Sequence, residues 1–187
     1  MVVGLVHVAW NYPAEGWVKL NVDGASKSNL GKGGGRRVLQ DGFGKWLMAF
    51  VVKLGICNSM LAEVTALLFG LQLAWDSGFR RVEVSFYFLA MVHLVKGRSN
   101  PHNHIACYVA FLMQINTLLS KPWQVQVYRC FREANRVVDT LANIATFVED
   151  HYQVLQNPSA EVRVILCEDT QGISRPRLVI AISFSIF

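Results

Sequence analysis

Three carboxylates stand at positions where a protein seldom places an isolated acid. Asp23 ends the alternating run WVKLNVD, Glu63 lies on the inward face of a helical segment, and Asp139 interrupts the apolar run VVDTLA. Each acid alone has an ordinary structural explanation, such as a bond to backbone amides or to a lysine. Gathered at one place, ionised carboxylates repel one another unless a cation offsets their charge. Such oxygen ligands suit Mg²⁺ or Mn²⁺, and two ions about 4 Å apart can hold the attacking water and the leaving oxygen of a phosphodiester.

The segments around the first carboxylate read as three strands. Residues 17–23 alternate between apolar and polar side chains, which predicts a half-buried strand. A glycine-rich segment follows, and the Asp41-Gly42 pair with Gly44 marks a hairpin turn before the next apolar run at 45–53. The pattern predicts an antiparallel meander of three strands.

Residues 59–79 form the clearest helical segment. Asn58 or Ser59 is the expected N-cap, and Gly78 is the expected stop. One face of this helix has mostly small side chains at helical spacing: Glu63, Ala66, Leu67, Gly70 and Ala74. A small face lets a helix pack closely against a sheet, so we expect Glu63 to point toward that sheet.

The remaining segments complete the order β-β-β-α-β-α-α-β-α. A strand is predicted at 80–86 and another at 123–129; helices are predicted near 88–96, at 104–120 and at 133–150. Residues 1–16 precede this pattern as an N-terminal segment. Residues 151–187 have no clear place in it, and we expect a loosely structured C-terminal extension beyond a domain at 17–150.

Three motifs in this order resemble a known family. NVDGAS at 21–26, LAE at 61–63 and REANRVVDTLAN at 132–143 are similar to the ribonuclease H type 1 domain, and most similar to its plant form in retroelement-derived proteins and non-LTR reverse transcriptases. The resemblance implies an α/β ribonuclease H-like fold with a five-stranded mixed sheet flanked by helices. It also implies hydrolysis of the RNA strand of RNA–DNA hybrids with two Mg²⁺ (or Mn²⁺) ions. The implied metal ligands are Asp23, Glu63, position 87 and Asp139.

The chain departs from the family pattern at several of these places. Position 87, acidic in the family, is Tyr87, and the loop histidine of the family is Arg129. Arg36 and Arg37 stand where the family tends to have two glycines, and Leu30 replaces a proline. A tyrosine is neutral near pH 7 and is too long to substitute for an aspartate ligand. We therefore expect a ribonuclease H-like domain with strongly impaired catalysis.

Two other roles and the absence of any role remain open. Asn29 matches the family loop that reads the minor groove of a hybrid, where 2′-hydroxyls identify RNA. Five arginines are candidate phosphate contacts or simply solvated charges: Arg36, Arg37, Arg129, Arg132 and Arg136. The alternatives to hybrid binding are a non-catalytic interaction module that uses the aromatic run at 86–88, and a retroelement remnant without function.

Composition indicates a packed protein, and its modest positive charge fits a polyanionic partner as well as none. The chain has 187 residues, 52% of them apolar, and its 18 basic and 13 acidic residues give a net charge of +5. The four cysteines form no CxxC pair, which favours reduced thiols over a disulfide framework or a zinc site. The apolar run at 178–187 is too short for a membrane helix. We expect a soluble intracellular protein, nuclear or cytoplasmic, and the sequence does not indicate its oligomeric state.

Overall fold

The computed structural model describes residues 2–26, 31–87, 108–145 and 152–181. Within these ranges the strands are β1 (Val2–Val8), β2 (Val18–Ser26), β3 (Gly31–Gln40), β4 (Trp46–Cys57), β5 (Arg81–Phe86), β6 (Gln124–Arg129), β7 (Tyr152–Leu155) and β8 (Arg175–Ala181). The α-helices are α1 (Ser59–Asp76), α2 (Val109–Leu119), α3 (Arg136–Ala145) and α4 (Ala160–Thr170). A short 3₁₀ turn, Arg132–Ala134, precedes α3.

The main sheet has six strands in the order β6-β5-β2-β3-β4-β7. Strand β2 pairs in parallel with β5, and β5 pairs in parallel with β6, whereas the β2-β3-β4 meander and the β4-β7 pair are antiparallel. The two terminal strands, β1 and β8, form a separate two-stranded antiparallel sheet. We call this pair the terminal ribbon.

Helix α1 covers one face of the main sheet. Asn58 caps its first turn, because the side-chain oxygen accepts a hydrogen bond from the Leu61 amide at 2.8 Å. The apolar side chains of β2 and β5 that face α1 are fully buried beneath it: Leu20, Val22, Val82, Val84 and Phe86. Gly70 permits this approach, because a Cβ there would lie 3.1 Å from the Leu20 side chain. The predicted small face of the helix is thus its packing face.

Helices α3 and α4 cover the opposite face of β3 and β4. The buried apolar side chains that meet there are Val38, Trp46, Ala49, Val51, Val137, Val138, Leu141, Val162, Ile165 and Leu166. Strand alternation explains the division, since Val38 points to this face while its neighbour Leu39 joins the core under α1.

The mixed α/β architecture and the three-strand meander are confirmed, with one correction. The sheet has six strands and not five, because residues from the predicted loose extension pair with β4 through Tyr152–Leu155. Helix α4 of the same extension buries Val162 and Leu166 against α3. Apolar burial therefore orders a segment whose sequence has no strong period. The predicted helix near 88–96, the start of the one at 104–120 and the end of the one at 133–150 lie outside the described residues.

Among the helices that the structure describes, none is both long enough and apolar enough to span a membrane.

Candidate active site

The strand register brings Asp23 and position 87 to one edge of the sheet. Val22 of β2 pairs with Phe86, the last residue of β5, in a parallel ladder, so the next residues, Asp23 and Tyr87, stand beside each other where β5 ends. Strand β2 itself continues to Ser26, so Asp23 does not end its strand as predicted. Phe86 points into the core under α1, and its exposed fraction is 0%. Tyr87, one residue on, points to the other face, and 38% of it is exposed.

Gly24 brings the second carboxylate to this edge. A Cβ at position 24 would lie 2.3 Å from backbone atoms of Ala62 and Glu63, so only glycine allows α1 to approach β2 this closely. The backbone N–H of Gly24 also donates to the Glu63 carboxylate. Packing and a hydrogen bond together place Glu63 next to Asp23.

Asn135 fixes the third carboxylate. The Asn135 side-chain Nδ2 donates to the backbone carbonyl oxygen of Val22 at 3.1 Å. The backbone carbonyl oxygen of Asn135 accepts from the backbone amide of Asp139 at 3.2 Å. Asn135 is 4% exposed, so this link between α3 and β2 is shielded from water. The first turn of α3 is thereby held against the strand that carries Asp23.

The charge of Asp23 acts on both of the other candidate carboxylates. Burial, with the nearby charge of Asp23, raises the pKa of Glu63 to about 8. Burial and Asp23 also raise the pKa of Asp139, while Arg132 and Arg36 partly oppose this rise. Glu63 and Asp139 therefore both lie within electrostatic reach of Asp23.

Two of the three carboxylates have a guanidinium partner. Arg36 stands directly opposite Asp23 in the β2-β3 ladder, and its Nη1 lies 2.9 Å from Asp23 Oδ2. Arg132 Nε lies 3.4 Å from Asp139 Oδ2. The first pair is mostly buried, with side-chain exposures of 14% and 12%, whereas Arg132 is 67% exposed, so the first pair is the stronger obstacle to a competing cation.

Arg37 does not belong to this edge, which corrects its prediction as a phosphate contact. Strand alternation turns it to the α1 face, where it is 1% exposed. Its guanidinium donates to the carbonyl oxygens of Ala66 and Thr65 and lies 4.3 Å from the Phe50 ring centroid. Burial lowers its pKa to about 9.

The other predicted nucleic-acid contacts have mixed outcomes. Arg129 is exposed, with its guanidinium 5.3 Å from the Phe131 ring centroid. Arg136 forms an ion pair with Glu168 of α4, which also binds Arg175 at 2.8 Å, so Arg136 holds the extension in place. Asn29 lies outside the described residues. Of the aromatic run at 86–88, Phe86 is buried and offers no apolar surface, Tyr87 is 38% exposed, and Phe88 lies outside the described residues.

An arginine from the terminal ribbon reaches position 87. Arg177 of β8 donates from Nη1 to both carboxylate oxygens of Glu133, at 2.9 and 2.8 Å, and it hydrogen-bonds to Tyr87. Its guanidinium lies 4.6 Å from the ring centroid of Phe131 and 6.0 Å from that of Tyr87. The sequence carried no signal for this contact, because β8 lies in a segment without strong periodicity. Gly24 and Asn135 were inside the recognised motifs, although their positioning roles were not inferred.

The donor set does not fit a pair of divalent cations. Among the residues that the structure describes, no group of three or more His, Cys, Asp or Glu side chains is arranged to hold a metal ion. Asp23 and Asp139 are engaged by guanidinium groups, and the residue beside Asp23 on β5 is a phenol. Glu63 alone lacks an arginine ion pair, and its Oε2 is buried without a hydrogen-bond partner.

Comparisons with known proteins agree with this fold and these motifs. The family model described as "Reverse transcriptase-like" matches residues 21–145. An Arabidopsis thaliana protein named "Putative ribonuclease H protein" is 34% identical over 174 residues, which is 92% of this chain and 27% of that relative's length. The chain therefore spans about a quarter of that curated relative.

Solved structures show the same fold. RNase H1 from the halophilic archaeon Halobacterium salinarum superposes with a TM-score of 0.65 at 24% identity, covering 70% of this chain and 98% of that one. LC11-RNase H1 in complex with an RNA/DNA hybrid superposes with a TM-score of 0.63 at 22% identity, covering 68% and 95%. The resemblance drawn from the three sequence motifs is confirmed. The chain belongs to the reverse transcriptase-like family and contains its ribonuclease H-like domain.

Proposed function

We propose that this chain is a ribonuclease H-like nucleic-acid-binding domain in which two-metal hydrolysis of RNA–DNA hybrids is strongly impaired. One observation carries the proposal: at the carboxyl edge of the sheet, Asp23 is bound by Arg36 and stands beside Tyr87. The scaffold that presents a hybrid to this edge is retained, while the groups that would hold metal ions are altered.

The impairment follows from charge and geometry. A site for two divalent cations needs carboxylate oxygens that are free to bind them, and in Asp23 one of these oxygens accepts from a guanidinium. A divalent cation must displace Arg36 to use that oxygen, and Tyr87 supplies no carboxylate in compensation. Phosphodiester hydrolysis depends on closely positioned ions, so a loss of several powers of ten in rate is expected.

Nucleic-acid binding is supported by charge, by exposed arginines and by relatives. The chain carries a net charge of +5. The exposed Arg129 and Arg132 flank the edge of the sheet that carries Asp23, Glu63 and Asp139, which we call the carboxylate edge. A structural relative was solved with an RNA/DNA hybrid bound. A hybrid is therefore the first nucleic acid to test.

The test combines binding with cleavage. Anisotropy of a fluorescein-labelled RNA–DNA hybrid should show binding that weakens steeply between about 50 and about 200 mM salt. The same protein should leave the RNA strand uncut in Mg²⁺ and in Mn²⁺. Absence of hybrid binding at low salt would refute the binding part of the proposal, and efficient cleavage would refute the impairment.

A further inference from the structure

The charge around position 87 differs in kind from that of a metal-dependent centre. Among the described residues of this edge, the carboxylates are Asp23, Glu63, Glu133 and Asp139, and the guanidinium groups are Arg36, Arg129, Arg132 and Arg177. Acids and cations are therefore formally equal in number. A centre made of carboxylates alone repels a phosphate until metal ions arrive, whereas a balanced one does not.

Resting on the proposed function, we infer that this edge binds a backbone phosphate of nucleic acid directly through guanidinium groups, without a divalent cation, and that Arg177 of the terminal ribbon is a principal contact. Arg177 lies outside residues 21–145, the part that matches the family model. The terminal ribbon thus adds a cation to the place where the missing carboxylate would have held a metal ion.

The environment of Arg177 prepares it for a phosphate. Both hydrogen bonds to Glu133 come from Nη1, and the buried Nε has no hydrogen-bond partner, so part of the donor capacity of this guanidinium is unused. Phe131 lies 4.6 Å from the guanidinium and restricts its orientation, which lowers the entropy lost when a ligand binds. Arginine presents paired N–H donors whose spacing matches two phosphate oxygens. Arginines interleaved with aromatic rings are typical of surfaces that bind nucleic-acid strands.

A substitution at Glu133 distinguishes phosphate binding by Arg177 from a purely structural role of that arginine. If Arg177 only fastens the terminal ribbon to the domain, removing the Glu133 carboxylate weakens folding and leaves hybrid affinity unchanged. If Arg177 binds phosphate, Glu133 competes with that phosphate, and Glu133→Gln should tighten hybrid binding. The two roles therefore predict different results for one substitution.

The experiment measures the Kd of a labelled RNA–DNA hybrid by anisotropy, in EDTA and in Mg²⁺ at matched ionic strength. We expect Kd values within about twofold of each other in the two buffers. Arg177→Gln should weaken binding by about 10-fold, as for a lost hydrogen bond to a charged group, and should reduce the salt slope by about 1. Glu133→Gln should tighten binding by about 2- to 5-fold, as for the removal of one partly exposed ion-pair partner.

Arg163→Gln is the matched control, because Arg163 is an exposed arginine of α4 whose Nε donates to the Pro158 carbonyl oxygen, away from the carboxylate edge. Arg177→Lys keeps the charge and should retain part of the affinity, and thermal melting confirms that each variant folds. Binding that requires Mg²⁺, or equal Kd values for Arg177→Gln and Arg163→Gln, would overturn the inference while leaving hybrid binding established. A chain that binds no hybrid in either buffer would overturn the proposed function as well.

Discussion

The β2-α1 junction and the ends of β5 and β6 lie at the same edge of one sheet, yet different forces hold them. At the junction, Gly24 allows backbone contact with α1, and the Glu63 carboxylate accepts from the Gly24 amide. At the strand ends, charged and aromatic side chains meet instead: Tyr87, Phe131, Glu133 and Arg177.

The difference separates what the fold requires from what hydrolysis requires. Close helix–strand packing stabilises the domain whether or not the edge is catalytic, because it buries apolar surface on both sides of the contact. The side chain at position 87 is 38% exposed and contributes little to folding, so a tyrosine there leaves the sheet intact. Under the proposed function, the ribonuclease H-like scaffold therefore persists although its metal ligands are altered.

The largest expected effect comes from breaking the junction. Gly24→Ala places a Cβ 2.3 Å from the backbone of Ala62 and Glu63, and backbone atoms of a packed helix cannot yield cheaply. We expect a loss of about 3 kcal/mol or more in the free energy of unfolding, measured by urea denaturation. Gly4→Ala is the control, because its Cβ would lie 3.8 Å from Val179, an ordinary contact. Similar losses for the two variants would contradict the role assigned to Gly24.

Substitution of the adjacent residues Arg36 and Arg37 should change the free energy of unfolding in opposite directions. Arg37 is a buried cation whose Nη1 has no hydrogen-bond partner, and the α-helical carbonyls that it contacts keep their helix bonds without it. Arg37→Met should therefore raise the free energy of unfolding by about 1–2 kcal/mol. Arg36→Met should lower it by about 1–3 kcal/mol, because Asp23 loses its partner beside Glu63. Thermal melting of both variants measures these changes in stability. Changes in the same direction would contradict the placement of Arg36 and Arg37 on opposite faces of the sheet.

The smallest effect concerns the docking of the extension. Burial raises the pKa of Asp169 in α4 to about 7, above its value of about 4 in an unfolded chain. The folded state then holds this proton more tightly, so the contribution of Asp169 to stability is full below pH 4 and declines as the pH rises toward 7. Asp169→Asn should raise the melting temperature by a few degrees at pH 8 and by less at pH 5. A gain that is independent of pH would contradict the raised pKa.

The sequence indicated candidate carboxylates but not their side-chain partners. Asp23, Glu63 and Asp139 were selected from strand alternation and helical spacing, which act over short distances, and from the order of three motifs along the chain. Alternation alone would separate Arg36 from Arg37, but only the β2-β3 register tells which of them faces Asp23. Such a register depends on long-range packing, which local patterns do not encode.

The terminal ribbon marks where local reasoning fails. Its strands, Val2–Val8 and Arg175–Ala181, pair across nearly the whole chain. In the main sheet, β7 has only four residues, too few for a clear alternation of apolar and polar side chains. The position of Arg177 at Tyr87 follows from that pairing and from Glu133, not from any motif. The six-stranded sheet and the ribbon were missed for the same reason.

The most direct test of the account is to restore hydrolysis. The test uses a variant with Arg36→Gly, Tyr87→Asp, Arg129→His and Arg177→Gln. Arg36→Gly frees Asp23, Tyr87→Asp supplies the missing carboxylate, and Arg129→His restores the loop histidine of the family. Arg177→Gln removes the guanidinium that would otherwise bind the new carboxylate. With a labelled RNA–DNA hybrid in Mg²⁺, we expect this variant to cleave the RNA strand at least about 100-fold faster than the natural chain. Equal rates in the two proteins, or an inert variant that still folds and binds the hybrid, would contradict the claim that an intact scaffold carries an altered centre.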